Sequence, residues 1–402
     1  MKNNILVGLS GGPSVAINSS LAGVIHAATK SKNIGKIYGA KHGIEGVLTD
    51  RLVDLSSYAD DYNLSLLMQT PAMALGSCRH KLQEESFPLI RKRLEQYDIG
   101  YFFYIGGNDS MDTVLKLDRY FKKNHVDIKV VGIPKTIDND LPETDHTPGF
   151  GSSAKYLYHT VSEIIRDSEI YPVKNVVIIE VMGRDSGWLT LASALPRFLG
   201  ENAPHIIAIP EVSFNETDFI NQINATFEHE KTVICVVSEG ITDKNGDYVG
   251  MCAKSGCVDS FGHTYLSGVG KYLEGLVMRE IGCKVRSIEL NVMQRCSSHL
   301  AAKVDLDEGF MVGAKAVEQA ENGDSGVTMI FKRISNSPYQ IEISTTDVEN
   351  IANKAKDVPE RWFDLYDTNI QKEIAEYLLP LIQGTISPIT DETGLPIYIN
   401  IE

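Results

Sequence analysis

The chain has 402 residues, long enough for two or three domains with cores of their own, and its 43% hydrophobic and 23% charged content is that of a globular protein. A formal net charge of −15 excludes a nucleic acid or an anionic membrane as the main partner of the surface, so any phosphate has to be held by a local cluster of cations. No segment approaches the roughly 18 uninterrupted apolar residues of a membrane span. Met1–Val7 lacks the apolar stretch of a signal peptide, and six scattered cysteines without a C-x-x-C pair point to reduced thiols in a cytoplasm.

Ile5–Leu9 reads as a strand, and Ser10-Gly11-Gly12-Pro13-Ser14 leads from it into a helix running from Val15 towards Ala28. Two glycines between strand and helix let backbone N–H groups approach an anion at a helix N-terminus. A plain tight turn fits the same residues, because the loop lacks a Walker A ending. Lys36–Ala40 is the next strand, so the chain opens as a right-handed βαβ unit. Gly76-Ser77-Cys78-Arg79-His80-Lys81 is a small-residue turn ending in three potential cations. Arg79 there is either a bidentate phosphate ligand or a solvated surface arginine. Phe87–Gln96 is an amphipathic helix with Ile90 and Leu94 on its apolar side, and Tyr101–Ile105 is a strand of β-formers. A second Gly-Gly turn follows, Gly106-Gly107-Asn108-Asp109-Ser110, where Asp109 or Ser110 has the simple alternative of capping the next helix.

Val130–Asp140 concentrates the chemistry. A buried strand ends at Gly132 and Pro134, and Lys135, Thr136, Asp138 and Asp140 then place a cation, a hydroxyl and two carboxylates within six residues. Open α/β sheets put ligands at such carboxyl ends. The set suits phosphoryl transfer, in which a carboxylate accepts a hydroxyl proton while cations neutralise the moving phosphate; a solvated polar turn is the alternative. Thr147–Gly151 marks a domain crossing before a helix over Ser152–Arg166. The pattern then restarts with strand Asn175–Val181, the turn Met182–Gly187, helix Trp188–Leu195 and strand His205–Ile209. A helix over Glu216–His229 and strand Thr232–Val237 follow, then a helix over 261–282 carrying Tyr265, Val269, Tyr272, Leu273 and Leu276, and strand Lys284–Leu290. Gln294–His299 leads into a helix that returns the chain to the first unit. The last fifty residues, helical over Ile370–Leu379, read as an appendage or wrap without assigned chemistry.

Gly11-Gly12, Gly106–Ser110, Pro134–Asp140, Glu180–Arg184 and Gln294-Arg295, in this order, resemble the phosphofructokinases over residues 4–335. ATP-using members carry glycines where Asp109 and Lys135 stand, so the chain is more similar to the pyrophosphate-dependent branch. The resemblance implies two similar Rossmann-like parallel-sheet α/β domains with the active site in the cleft between them. Residues 1–149, with about 294–345 returning, would bind the phosphoryl donor, 150–293 the sugar phosphate, and 346–402 would be a C-terminal extension.

The reaction it implies is phosphoryl transfer from pyrophosphate to the 1-hydroxyl of fructose 6-phosphate, with Mg2+. An ATP-dependent enzyme and a non-catalytic regulatory homologue are the alternatives. Asp138 would be the base, ionised at neutral pH if its pKa is the ordinary value of about 3.9, with Thr136 and Asp140 flanking it. Gly11, Gly12, Arg79, Gly107 and Asn108 would hold the donor, while Lys135 and Asp109 would set donor choice. Met182, Gly183 and Arg184 would line the sugar site, Glu239 would take sugar hydroxyls, and Arg286 and Arg295 would clamp the 6-phosphate, some of these arginines coming from a neighbouring subunit of a homodimer or homotetramer. Asn108, Asp138 and Asp140 would hold the metal, Asn108 standing where the family usually has aspartate. Two further departures are Val292 in place of a histidine or tyrosine and Asn175, beside Lys174, in place of an arginine.

Overall fold

The computed structural model describes residues 3–170, 172–250 and 268–402; Cys252, Cys257 and Tyr265 lie outside the described residues. In chain order the strands are β1 (Asn3–Leu9), β2 (Ile34–Ala40), β3 (Leu52–Asp54), β4 (Ile99–Gly106), β5 (Lys129–Pro134), β6 (Asn175–Val181), β7 (Ile206–Ala208), β8 (Thr232–Ser238), β9 (Lys284–Glu289), β10 (Val327–Asn336) and β11 (Tyr339–Asp347). They form two sheets, β11-β10-β5-β4-β1-β2-β3 and β7-β8-β6-β9. The second is parallel throughout, as is the centre of the first, where Leu6 pairs with Phe102 and Phe103 with Val131. Ile5, Leu6, Val7, Phe102, Phe103, Val130 and Val131 are fully buried, as expected of parallel strands covered by helices on both faces. The edges of the larger sheet are antiparallel, β3 on β2 and β11 on β10.

After leaving the second sheet the chain returns to the first, β10 running parallel to β5 with Val327 opposite Val131. The helix Lys303–Glu321 leads into it and packs on the helix Ile17–Lys30 so closely that a Cβ on Gly23 would stand 2.0 Å from the Phe310 carbonyl oxygen, and one on Gly313 2.0 Å from that of Ser20. Only glycine permits this approach. The helix Phe87–Gln96 forms where its spacing predicts, and the described part of the helix expected over 261–282 is Val269–Glu280. The helix expected over Trp188–Leu195 is instead two, Trp188–Ser193 and Leu195–Phe198, because Pro196 accommodates only the first turn of a new helix.

The C-terminal residues pack into both halves. Trp362, Ile374, Leu378 and Leu381 share an apolar cluster with Phe150, Trp188 and Leu191, whereas Ile401 joins Ile5 and Ile17 under the larger sheet. No helix among the described residues is long and apolar enough to cross a membrane.

A buried ionic network supports the long loop after β5. His146 Nδ1 lies 2.8 Å from Asp145 Oδ1 and its Nε2 2.7 Å from Glu308 Oε2, with the ring stacked on Phe331 at 4.8 Å. Arg333 donates to Asp145 at 2.8 Å. Burial opposes the imidazolium, but Glu308 and Asp145 outweigh it and raise His146 to about 9. A raised histidine contributes stability that is complete below its unfolded value of about 6.5 and is lost as pH rises through about 9, at most on the order of 3 kcal/mol. Thermal unfolding measured against pH should therefore show a decline between pH 6.5 and 9 that His146→Gln flattens while lowering the acid-side Tm.

Candidate active site

The two sheets present their carboxyl ends to a cavity of about 230 Å³. From the larger unit come Gly11 and Gly12 after β1, Arg79, the start of the helix Asn108–Lys123 after β4, and Lys135–Asp140 after β5; Met182, Arg184, Asp185, Ser186 and Glu239 face them from the smaller unit, and Arg295 from the returning segment. The expected residues thus meet in one place, with two differences. Gly183 contributes through its backbone, its N–H donating to Glu239 Oε1 at 3.4 Å. Arg286 is not brought into this cleft. It sits near the start of β9 beside Val177, at the opposite end of the parallel sheet, and lines a separate hollow with Asn175 and Lys284. Asn175 there is tied to Thr232 Oγ1 at 2.9 Å, and the Lys174 ammonium lies 4.9 Å from the centre of the Phe227 ring.

Gly11 adopts φ +80°, which lets the loop bend beneath Lys135; a Cβ there would be 3.5 Å from the Lys135 ammonium, and one on Gly12 would be 3.2 Å from Arg295 Nη1. Lys135 donates to the Gly12 carbonyl at 2.5 Å. Arg295 therefore stands over the glycine loop, on the side expected to hold the donor. Burial lowers the Lys135 ammonium to about 8, with Asp138 and Asp140 opposing the fall. Arg295 is lowered by burial and by the charge of Arg79. Three cations crowded on one glycine loop are a site for an anion with several negative charges.

The turn after β5 is held by threonine hydroxyls. Asp138 N–H donates to Thr136 Oγ1 at 3.1 Å, Thr147 Oγ1 donates to the Thr136 carbonyl at 2.8 Å, and Asn139 takes φ +56°. Ser186 Oγ donates to the Asp138 carbonyl at 3.1 Å, joining the smaller unit to this turn. Asp138 is raised above the ordinary carboxylate range by burial and then by Asp140, and Asp140 is raised by burial. The expectation of an unperturbed Asp138 is therefore corrected: burial disfavours its charge, and two close carboxylates resist ionising together. Burial and Asp138 likewise push Glu239 up to about 7.

Asp109 lies in the first turn of its helix, and Gly107, without a side-chain bond, occupies the N-cap. Capping is therefore not the job of Asp109 or Ser110. Among the described residues Arg184 Nε is buried without a hydrogen-bond partner, and an anionic ligand would satisfy it. Among the described residues no group of three or more His, Cys, Asp or Glu side chains is placed to hold a metal. Asp185 and Ser186, expected only as part of the turn Met182–Gly187, also line the cavity; their position directly after Met182-Gly183-Arg184 is the usable signal.

A family model described as Phosphofructokinase matches residues 4–320. The chain belongs to the phosphofructokinase family. It is 37% identical to a pyrophosphate–fructose 6-phosphate 1-phosphotransferase of Halomonas elongata, over 98% of this chain and 95% of that one. A protein of the same name from Xanthomonas campestris is 36% identical over 99% and 96%. Among solved structures, a pyrophosphate-dependent phosphofructokinase from Nitrosospira multiformis superposes with a TM-score of 0.88 at 33% identity, covering 100% of this chain and 96% of the other.

The cationic cluster has a direct test with inorganic phosphate as probe anion. Arg79→Gln removes a charged donor beside the glycine loop and should weaken phosphate binding about tenfold or more in calorimetric titration. Unchanged binding would place the anion elsewhere.

Proposed function

We propose that this phosphofructokinase transfers the terminal phosphoryl group of pyrophosphate to the 1-hydroxyl of fructose 6-phosphate, giving fructose 1,6-bisphosphate and phosphate. The observation that carries the reading is Lys135, whose ammonium is fixed on the Gly12 carbonyl between the glycine loop and Asp138. The names of the relatives support the same donor and acceptor.

Asp138 accepts the proton of the 1-hydroxyl as its oxygen forms a bond to the terminal phosphorus, and the bridging P–O bond breaks to release phosphate. Gly11, Gly12, Gly107 and Arg79 hold the donor, and Lys135 neutralises the charge that develops on the departing phosphate. Asp109 places bulk and negative charge where a nucleotide would continue beyond its phosphates, which disfavours ATP. Thr136 fixes the turn, Asp140 flanks the base, Met182, Gly183, Arg184 and Glu239 bind the sugar phosphate, and Arg295, which stands over Gly12, joins Arg79 on the donor side. Asp138 and Asp140 with the Asn108 carbonyl are hard oxygen donors of the kind Mg2+ takes together with water and substrate oxygens. When bound there, Mg2+ would neutralise phosphate charge. Donor and product phosphates are comparable in energy, so the reaction runs in both directions.

Arg286 lies outside the cleft of its own chain, and in this reading it clamps the 6-phosphate in the cleft of a neighbouring subunit of a homodimer or homotetramer. The enzyme works in the cytoplasm.

Asp138→Asn should lower kcat by several orders of magnitude while fructose 6-phosphate binding, measured by calorimetry, persists, because the base is lost and the clamps remain. Near-normal kcat would remove Asp138 from the mechanism.

Donor choice is tested by steady-state rates with fructose 6-phosphate, Mg2+ and either pyrophosphate or ATP. The unaltered protein should turn over with pyrophosphate and not with ATP. Asp109→Gly should admit ATP weakly, whereas Lys135→Gly should depress kcat with pyrophosphate on the order of 10²- to 10³-fold without admitting ATP. No gain from the first and no loss from the second would overturn the pyrophosphate assignment.

A further inference from the structure

The segment 353–358, beyond the residues matched by the family model, bridges the two units. At its start Asn353 Nδ2 donates to Asp112 Oδ1 at 3.0 Å, and the Lys354 carbonyl accepts from Asn108 Nδ2 at 3.4 Å, so it is seated on the helix whose first turn carries Asp109. At its end Val358 N–H donates at 3.0 Å to Glu211 Oε1, which also accepts from Gly187 N–H at 2.8 Å, one residue beyond Ser186.

Lys356 lies between these anchors. Its backbone N–H donates to the Asp140 carbonyl at 2.6 Å. Its ammonium donates to the carbonyls of Thr144 and Asp145 at 2.9 Å each and stands 5.1 Å from the centre of the Trp188 ring. Trp188 Nε1 donates in turn to the Lys356 carbonyl at 3.1 Å. One residue therefore grips both the carboxyl end of the Asp138–Asp140 turn and the loop that follows it, and is itself anchored to the smaller unit. The same turn is held from the smaller unit by Ser186 on the Asp138 carbonyl.

We propose that Lys356 is a positioning residue for phosphoryl transfer: it holds the Asp138–Asp140 turn at a fixed distance from the donor helix on one side and the Met182–Arg184 loop on the other. The ammonium compensates two carbonyls whose N–H partners in a regular element are missing; an apolar side chain in its place leaves the Thr144 carbonyl unpaired and the Asp145 carbonyl with the Tyr377 hydroxyl alone. The turn then relaxes while the anion-holding groups keep their places. Displacement of a reacting group by about 1 Å costs on the order of 10²-fold in rate.

The inference rests on the reaction proposed above, so the unaltered protein and Asp138→Asn are assayed alongside. Lys356→Met should lower kcat by about 30- to 100-fold while the KM values for fructose 6-phosphate and pyrophosphate change less than about threefold. Lys356→Arg, which keeps a cation able to donate to both carbonyls, should recover most of that loss. Trp188→Phe keeps an aromatic ring beside the ammonium and removes the bond to the Lys356 carbonyl together with part of the indole packed on Phe150, Trp362 and Tyr377; it should lower kcat up to about tenfold with KM spared, and it decides the matter if Lys356→Met does not fold. A kcat within twofold of normal in Lys356→Met, or in Trp188→Phe where that variant stands alone, overturns the proposal. So does a loss in which kcat and both KM values worsen together, the pattern of general distortion. Absence of turnover in the unaltered protein overturns the reaction and this role with it, and full activity in Asp138→Asn overturns the role of the turn that Lys356 is said to hold.

Discussion

The Lys135 ammonium on the Gly12 carbonyl joins the turns that follow β1 and β5, the parallel strands on either side of β4, and the rest of the site is arranged around that contact. A buried lysine is costly unless its charge is compensated. The compensation here comes from a backbone carbonyl and from Asp138 and Asp140, all within the turns that follow β1 and β5. The dependence runs both ways, because the carboxylates are raised by burial and Lys135 is among the charges that draw Asp138 back down. Cation and base thus tune one another. A highly charged donor would strengthen the case for the ammonium, and departure of its phosphate would be felt by the base.

This electrostatic pairing needs a rigid frame, which the fold supplies in two layers. The first is local: Thr136 accepts from Asp138, Thr147 grips Thr136, and Asn139 takes the left-handed conformation that turns the chain. The second is the ionic network behind the loop, where Asp145, His146, Glu308 and Arg333 satisfy each other away from water. Tyr377 links the two layers, accepting from Asn139 Nδ2 at 2.9 Å and donating to the Asp145 carbonyl at 2.8 Å. Satisfied buried networks of this kind specify one arrangement, since each partner lost leaves another group unpaired.

Much of this was legible in the residues. Strand, glycine turn and helix repeat after β1 and β4, and a strand followed by clustered polar residues is visible after β5, because apolar runs and glycines are local signals that tertiary packing rarely overrides. The gathering of Arg79, Asp109, Lys135, Asp138, Arg184, Glu239 and Arg295 in one cavity follows from a general property of parallel sheets, whose loops converge at the carboxyl ends. The hairpin β10–β11 was not foreseen; its outer half alternates Lys332, Arg333, Ser335 and Asn336 with few apolar residues, as an exposed edge allows. Asn353–Val358 was equally silent, because a segment held by backbone bonds to distant loops has no period to read. The perturbation of Asp138 arises first from burial, which local residue types do not measure; only the second cause, Asp140, stands in the same turn.

The C-terminal residues also bear on how the two halves stay together. Trp362, Ile374 and Leu378 complete an apolar cluster that contains Trp188, and Ile401 reaches the core beneath the larger sheet. On the way Gln69 donates to the carbonyls of Ile389 and Ile397 and accepts from Ile389 N–H, while Ile399 N–H donates to Thr70 Oγ1. Thr70 opens the stretch that ends at Arg79, so the last residues of the chain brace the segment that delivers a donor-side cation. The same extension therefore packs the smaller unit, supports the turn carrying the base and steadies the approach to the glycine loop. Apolar burial drives the association, and the hydrogen bonds fix its register. A cleft built from two units needs such a tie, because inter-domain surfaces alone leave relative motion as the ordinary condition.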